Sequence, residues 1–343
     1  MKTYTKILKK LNERASHFLQ YPLEVYIKYL TTAIPIPPRG FYKLSIQLFD
    51  SDKLELLFPP PNTLPICDID FQPLAKSLSP ENIVKAINYI VLERHVLFVS
   101  NDIEILTPAI EALLALMYPF EYQLMYLPVV PYKLIDILQT NCPYLLGLHR
   151  SLFNKFGRYI NSSVCVVDLD HDTVTWKEVN WVEADTTLYK HQVEFAVIPK
   201  HETDKAIQRI AQPLLKLKAL EDTEKNREEQ ESLVETIRNA FFLVFISAFK
   251  QQDSFIKRKN EEYRISDKKL LNTVENDYKW FILQFSRTST FINWLQSKSY
   301  PGSFTKAHEH LFFDESIKAK LNRSLSTFFK KVLLTLFVEY SFS

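Results

Sequence analysis

Apolar and polar positions alternate with two different periods along this chain, and the period changes partway. Lys6 to Tyr29 carries helical spacing and reads as a helix in two pieces, broken before Pro22 because the residue ahead of a proline is pushed out of the helical region. Ile34 to Gly40, with Pro35, Pro37 and Pro38, is an extended punctuating segment. Phe41 to Leu48 alternates apolar with polar, which predicts a strand with one buried face. Lys53 to Phe58 can pair with it, and Pro59 to Pro61 end the pairing because proline lacks the ladder donor. Ser79-Pro80-Glu81 then opens a helix, with Ser79 as N-cap, Pro80 at the first position and Glu81 at the positive end. Ile83, Ile87, Ile90 and Val91 follow at helical spacing. Val96 to Val99 is an all-apolar run, the pattern of a strand covered on both faces.

Thr107-Pro108 starts another helix, with Ile110, Leu113, Leu114 and Met117 inward. Leu124 to Val130 is the next apolar stretch. A short helix is expected at Lys133 to Leu138 and a strand at Tyr144 to Leu148. Val164 to Val167 reads as a further buried strand ending in Asp168-Leu169-Asp170, and Val193 to Ile198 as another. Strands interleaved with helices predict an α/β layer with a mostly parallel sheet. After Pro199 the character changes. Thr203 to Leu220 is helical, and Glu221 to Glu235 is dense in mixed charge, a solvated helix or linker. From Val234 onward the pattern reads as all helix, through Phe241, Phe245, Ile246 and Phe249, then Tyr278, Phe281, Ile282 and Phe285, then Ile317, Leu321, Leu325, Phe328, Phe329 and Leu333. The expected architecture is therefore an α/β layer followed by an all-helical C-terminal region. No internal repeat recurs at a fixed period.

Composition removes whole classes of function. There are 4 glycines in 343 residues, Gly40, Gly147, Gly157 and Gly302, and no two stand at a phosphate-loop spacing. A G-x-G-x-x-G, a Walker loop and a G-x-S-x-G elbow are all excluded. Phenylalanine (25) and tyrosine (17) are abundant, so rings fill the core or the interfaces. A net charge of +2 lacks the basic excess of a nucleic-acid-binding domain. Cys67, Cys142 and Cys165 are odd in number and far apart, which reads as buried reduced thiols rather than a disulfide framework or a zinc ribbon. The charged N-terminus lacks the apolar core of a signal peptide. The apolar run Ala240 to Ile246 is far short of the ~20 residues that cross a bilayer. The expectation is a soluble cytoplasmic protein.

Few constellations carry chemistry. His308 and His310 with Glu309 and Asp314 could be a metal fragment, but a surface loop is the plainer reading. His95 stands at a helix-to-strand junction, packed or solvated. Asp168 and Asp170 at a strand end could hold Mg²⁺ through water, or form a turn that hydrogen-bonds its own backbone, which is the preferred reading. Lys257-Arg258-Lys259 is a solvated helix end or, more sharply, a phospholipid contact. No set of acid, base and oxyanion donors can be assembled, and neither a cofactor nor a metal is expected.

Short motifs in a fixed order are more telling than any one of them. They run from Leu92-Glu93-Arg94-His95-Val96-Leu97-Phe98-Val99-Ser100 through Leu106-Thr107, Tyr118-Pro119-Phe120 and Tyr126-Leu127-Pro128-Val129-Val130-Pro131 to Cys142-Pro143-Tyr144-Leu145-Leu146-Gly147. This series resembles the central part of the DENN module. Ile36-Pro37-Pro38-Arg39-Gly40 and the strand end Val166 to Asp170 look like the same family, and Phe241 to Phe245 through Phe285, Thr288, Phe291 and Ile292 are similar to its downstream helical part. The resemblance covers roughly Ile34 to Leu295. Tyr122 departs from it, standing where the family often has tryptophan. Only the last helices of the family's upstream longin-like lobe fit ahead of Ile34, so that lobe is expected as a remnant. The expected partition is 1–40 as that remnant, 41–200 as the central α/β domain, 201–300 as the downstream helical part and 301–343 as a C-terminal helix. Glu93 and Arg94 are expected at solvent or ion-pair positions, and the motifs as a whole read mostly as scaffold.

The resemblance implies a Rab-type small GTPase as partner and guanine-nucleotide exchange as activity, in membrane trafficking, with peripheral contact at vesicle membranes. Exchange needs no nucleophile: a factor that prefers the nucleotide-free GTPase weakens nucleotide affinity by linkage. The contact residues expected are Ser100, Asn101, Asp102 and Glu104 in the loop after the first buried strand, and the run Glu121, Tyr122, Gln123 and Tyr126. The competing reading of the same residues is capping by Asn101 and Asp102 and a core position for Tyr126. The competing function is a non-catalytic scaffold that binds a GTPase or another protein without speeding nucleotide release.

Overall fold

Alternation of Leu44, Ile46 and Leu54 with polar neighbours produces an antiparallel hairpin: β1 (Lys43–Phe49) pairs with β2 (Asp52–Leu57), with Ile46 opposite Leu54. The computed structural model describes residues 9, 12, 22–33, 43–49, 52–57, 63–160, 163–177, 197–221 and 226–321. The Ile34–Gly40 segment, the proline run 59–61, most of the strand expected at Val193–Ile198, and Leu325, Phe328, Phe329 and Leu333 lie outside these described residues. The chain divides into one unit of Met1–Asp68 with Ser303–His308 and a second of Ile69–Gly302 with Glu309–Ser343. In the first, α1 (Leu23–Lys28) starts directly after Pro22 and widens into a π turn over Tyr29–Ala33. The β1–β2 pair is a sheet of its own.

The second unit holds a five-stranded sheet. Its elements run α2 (Gln72–Ser77), α3 (Pro80–Val91), β3 (Val96–Ser100), α4 (Leu106–Ala115), β4 (Met125–Leu127), a 3₁₀ helix (Tyr132–Gln139), β5 (Tyr144–His149), α5 (Arg150–Phe156), β6 (Val164–Asp168) and β7 (Thr173–Lys177). The strand order is β4-β5-β3-β6-β7. The first four are parallel and β7 is antiparallel to β6. β3 lies at the centre with all five residues buried, which is why it reads as an unbroken apolar run. Helix α3 turns Ile83, Ile87, Ile90 and Val91 inward, as expected.

Its cap differs from expectation. Ser79 occupies the N-cap position, but its hydroxyl does not accept from the helix. The Asp172 carboxylate instead accepts from Ser79 N at 2.8 Å, Ser79 Oγ at 3.1 Å and Asn82 Nδ2 at 2.8 Å. These charge-assisted bonds, one from backbone and two from side chains, tie the start of α3 to the β6–β7 turn. Asp172 reaches them from a φ of 49° in the β6–β7 turn.

The remainder is mostly helix: α6 (Lys200–Ala219), α7 (Arg227–Ala248), α8 (Gln252–Phe255), α9 (Asp267–Thr273), α10 (Asn276–Phe285), α11 (Ser289–Ser299) and α12 (Phe304–Leu321). It is not all helix. Between α8 and α9 stands an antiparallel hairpin, β8 (Ile256–Lys259) with β9 (Glu262–Ile265). Asn260 and Glu261 form its two-residue turn with φ of 51° and 69°, the left-handed pair such hairpins require. Lys257-Arg258-Lys259 is therefore strand β8, not a helix end.

The His308–Asp314 stretch is likewise helix α12 rather than a surface loop. Its buried His310 meets Ser297 Oγ at 2.9 Å, and Asp314 accepts from Lys298 at 2.6 Å and Gln252 at 2.7 Å. Three or more His, Cys, Asp or Glu side chains never gather as a metal-binding group among the described residues. The thiols also depart from expectation: all three are free, but only Cys165 is buried, and Cys142 is exposed. Burial pushes the Cys165 thiol up to about 12, so at neutral pH it is protonated and unreactive.

Two family-like motifs turn out to fasten the sheet layer to the helices. Glu93, with φ 51°, accepts from the backbone N–H of Ser289 at 2.9 Å and Thr290 at 2.7 Å. Arg94 donates to Gln284 at 3.1 Å. Both were expected at solvent or ion-pair positions; Glu93 instead neutralises the positive start of α11. Phe120, following the cis Tyr118–Pro119 bond, enters an aromatic core made by α7, α10, α11 and α12.

Candidate functional site

Parallel strands end together, so the carboxyl ends of β5, β3 and β6 place His149, Ser100 and Asp168 side by side. The first residue of α5, Arg150, follows β5 directly. Its guanidinium pairs with the Asp168 carboxylate and stands 2.8 Å from Asp170 Oδ2. Asp170 then reaches up to the loop after β3. It accepts from Ser100 Oγ at 2.8 Å, Asn101 N at 2.9 Å and Asn101 Nδ2 at 2.7 Å. His149 Nδ1 accepts from Ser151 N at 3.2 Å, which leaves Nε2–H to donate to the Asn101 carbonyl at 2.9 Å. Asp168 Oδ1 also accepts from the backbone N–H of Asp170 and His171, at 3.0 and 3.2 Å. The self-bonded turn is thus present, and Arg150 supplies the positive charge that a Mg²⁺ ion would bring.

Above this network the loop presents a fixed tip. Ser100 is fully buried and positions rather than touches; it also accepts from Asp102 N at 3.0 Å. Asp102 in turn accepts from Glu104 N at 2.9 Å. Asn101, Asp102 and Glu104 are exposed, and Ile103 between them is 48% exposed.

The second group of expected contact residues lies elsewhere. β4 begins at Met125, level with Tyr144 at the amino end of β5, so Glu121, Tyr122 and Gln123 precede the sheet at the edge opposite the Asn101–Glu104 tip. Glu121 and Gln123 are exposed there. Tyr122 is half-buried, and burial together with the nearby Glu93 charge raises its phenol. Tyr126 donates to Glu111 at 2.7 Å, and burial plus that bond raise it too. The structure therefore separates the two groups by the length of the sheet. His95 sits at that same amino edge, its ring edge-on to Tyr144 at 4.7 Å. Burial holds its imidazole below the ordinary value, which is the packed alternative of the two.

Sequence reasoning missed Arg150 and His149. Their only signal was position, each adjoining a strand end whose neighbours could not be known before the strand order. Another charged cluster belongs to the helices. Buried Glu202 accepts from Lys205 and from Tyr278 Oη, each at 3.1 Å, and from Ser247 Oγ at 3.2 Å. Burial would raise its carboxyl, but Lys205 and Lys320 outweigh that and hold it below the usual range. Its oxygens are committed to joining α6, α7 and α10.

The strand-end network makes stability depend on pH with a definite sign. Burial alone would raise Asp168 and Asp170; the Arg150 bonds, with His171 on Asp168 and Ser100 on Asp170, outweigh it and leave both lowered. Depressed carboxylates contribute stability above the unfolded value of 3.8 and lose it as pH falls through their folded values. Arg150→Ala leaves the two carboxylates facing each other without a cation. The expected loss is about 1–3 kcal/mol at pH 7, shrinking below pH ~4 as the acids protonate. Urea melts of both proteins across pH 3–7 check this; a loss that does not vary with pH would contradict it.

With this geometry in view, the chain's relatives can be placed. The model of the DENN (AEX-3) domain matches residues 1–172. The chain is 31% identical over 157 residues to "DENN domain and WD repeat-containing protein SCD1" of Arabidopsis thaliana, covering 46% of this chain and 13% of that protein. It is 31% identical over 155 residues to "DENN domain-containing protein C297.05" of Schizosaccharomyces pombe, covering 45% and 16%. It is 27% identical over 233 residues to "DENN domain-containing protein 2A" of Mus musculus, covering 67% and 22%. The matched regions thus span less than a quarter of each of these relatives. The chain belongs to the DENN domain family. Among the described residues no helix is long and apolar enough to cross a membrane.

Proposed function

We propose that this chain is a guanine-nucleotide exchange factor for a Rab-type small GTPase in membrane trafficking, and that the Asn101–Glu104 tip is part of the surface that grips it. Family membership supports the partner class. The observation that carries the site is the tip itself, exposed at Asn101, Asp102, Ile103 and Glu104 and fixed from below by Asp170 and His149. Ligands of open α/β sheets bind beyond the carboxyl ends of the strands, where this tip stands. A rigid tip suits exchange, since it can hold a displaced switch segment without ordering itself first. Each tenfold of preference for the nucleotide-free GTPase takes about 1.4 kcal/mol, within reach of a few good contacts. Glu121, Tyr122, Gln123 and Tyr126 are not used in this reading.

The test is release of fluorescent GDP from a panel of Rab proteins on adding the purified chain. At least one member is expected to release faster, and Ile103→Ala with Glu104→Ala is expected to lower the second-order rate about tenfold or more with the melting temperature unchanged. Tight binding without faster release would assign a scaffold role instead. Unchanged release in the double variant would remove the tip from the interface.

A further inference from the structure

The surface formed by the 3₁₀ helix and α5 combines exposed rings with positive charge. Tyr132, Leu134 and Tyr159 are 59%, 51% and 48% exposed. Phe156 lies between the two tyrosines, with ring centroids 5.8 Å from Tyr132 and 6.5 Å from Tyr159. Lys155 Nζ stands 5.7 Å from the Tyr132 ring centre and 5.2 Å from that of Phe156. Arg158 covers Tyr159 at 4.8 Å. Lys133 is exposed on the same 3₁₀ helix. The only carboxylate on that helix is Asp136, and Arg150 to Tyr159 contains none. Arg150 is committed to Asp168 and Asp170. Lys133, Lys155 and Arg158 therefore outnumber the single acid by two.

We propose that this face docks on an anionic lipid bilayer, with Tyr132, Leu134 and Tyr159 entering the headgroup layer and Lys133, Lys155 and Arg158 meeting its negative charge. Tyrosine suits that depth, its ring apolar and its hydroxyl wet. The Lys155 ammonium and the Arg158 guanidinium lie over ring faces, and a cation held there keeps N–H donors for lipid phosphates. A second copy of the chain is disfavoured, because a shared patch would bring like charges together. An acidic protein would satisfy the cations but gives the protruding Leu134 and tyrosines no defined pocket, whereas a bilayer accepts them at any register. Apolar insertion and electrostatic attraction act together in such contacts, and neither suffices alone. This inference does not depend on the exchange reading.

Co-sedimentation with vesicles tests it, using phosphatidylcholine alone or with about 30% phosphatidylserine, at roughly 0.1 M and 0.5 M salt. Binding is expected only to the phosphatidylserine vesicles, and weaker at the higher salt. Lys155→Ala with Arg158→Ala is expected to weaken it about 25-fold, near fivefold per cation. Tyr132→Ser with Leu134→Ser is expected to weaken it about tenfold while leaving the salt dependence unchanged. All four side chains are exposed, so each variant should keep the parent's circular dichroism spectrum, which is the control for folding. Failure to bind phosphatidylserine vesicles, or variants that bind as well as the parent chain, would overturn the proposal. So would full competition by polyglutamate together with no effect of the Tyr132–Leu134 pair, which would assign the face to an acidic protein.

Discussion

Phe120→Ala is expected to lower the stability of this protein by about 3–5 kcal/mol, the range for removing a fully enclosed phenyl ring. Phe120 is 2% exposed. Its ring lies 5.2 Å from Phe245 on α7, 5.6 Å from Phe249 just after it, and 4.8 Å from Phe285 on α10. It also lies 6.0 Å from Phe291 and 5.2 Å from Trp294 on α11, and 5.9 Å from Phe313 on α12. The void left by alanine would be walled by rings from four helices, none of which can move in without leaving another contact. Little relaxation is available, so the loss should fall toward the upper end. Single domains are stable by only about 5–15 kcal/mol, so the variant should be partly unfolded near body temperature. Urea denaturation should show a lower midpoint at an unchanged slope, and Phe120→Leu should recover about half the deficit. A deficit under about 1 kcal/mol would show that the ring cluster is loosely packed.

Much of this core was legible before the structure. Val96–Val99 had to be a covered strand because four consecutive apolar residues leave neither face for water, and β3 is the central strand. Phe241 and Phe245 at helical spacing, with Phe249 at the cap, placed the C-terminal half of α7. What escaped depends on contacts between distant residues or on backbone that composition does not signal. The cap of α3 comes from Asp172, 93 residues downstream of Ser79. Helix α11 has a local cap at Thr288, but the acceptor for its Ser289 and Thr290 N–H groups is Glu93, 196 residues upstream of Ser289. The β8–β9 turn uses Asn260 and Glu261 with positive φ and no glycine, so the usual hairpin signal is missing. Strand β7 is as long as β3 but has only Val174 and Trp176 as apolar residues, so it lacks the unbroken apolar run that marked β3.

The candidate site divides the same way. The loop after β3 was recognisable because a buried strand ending in Ser100-Asn101-Asp102 must surface there. Arg150 was not, since its partners are set by β5 and β6 flanking β3. The opposite placement of Glu121–Gln123 likewise follows from β4 running parallel to β5, a direction the sequence of a three-residue strand does not encode.

Gly147→Ala should be the more disruptive change, about 4 kcal/mol or more, although it adds a single carbon. A Cβ at Gly147 would lie 1.8 Å from the carbonyl oxygen of Pro128 and 2.8 Å from its carbon. Those are backbone atoms, so no side-chain rotation relieves the overlap. The approach is close because Val130 N donates to Gly147 O at 2.8 Å, drawing the Pro128–Pro131 segment against β5. Glycine is needed here for contact distance, not for its backbone angles. To admit the methyl group, either that hydrogen bond must break or β5 must leave its present pairing with β3, where Gly147 stands opposite Phe98. The second route also disturbs Arg150 at the end of β5, and through it the Asn101–Glu104 tip. Gly302 is the useful contrast. It has a φ of +65°, and a Cβ added there would meet nothing within 4 Å, so Gly302→Ala should cost only the roughly 1–2 kcal/mol of a left-handed alanine. Urea melts of the two variants should therefore rank Gly147→Ala well below Gly302→Ala. Equal losses would mean that the Pro128–Pro131 segment yields freely and that the close approach places no constraint on position 147.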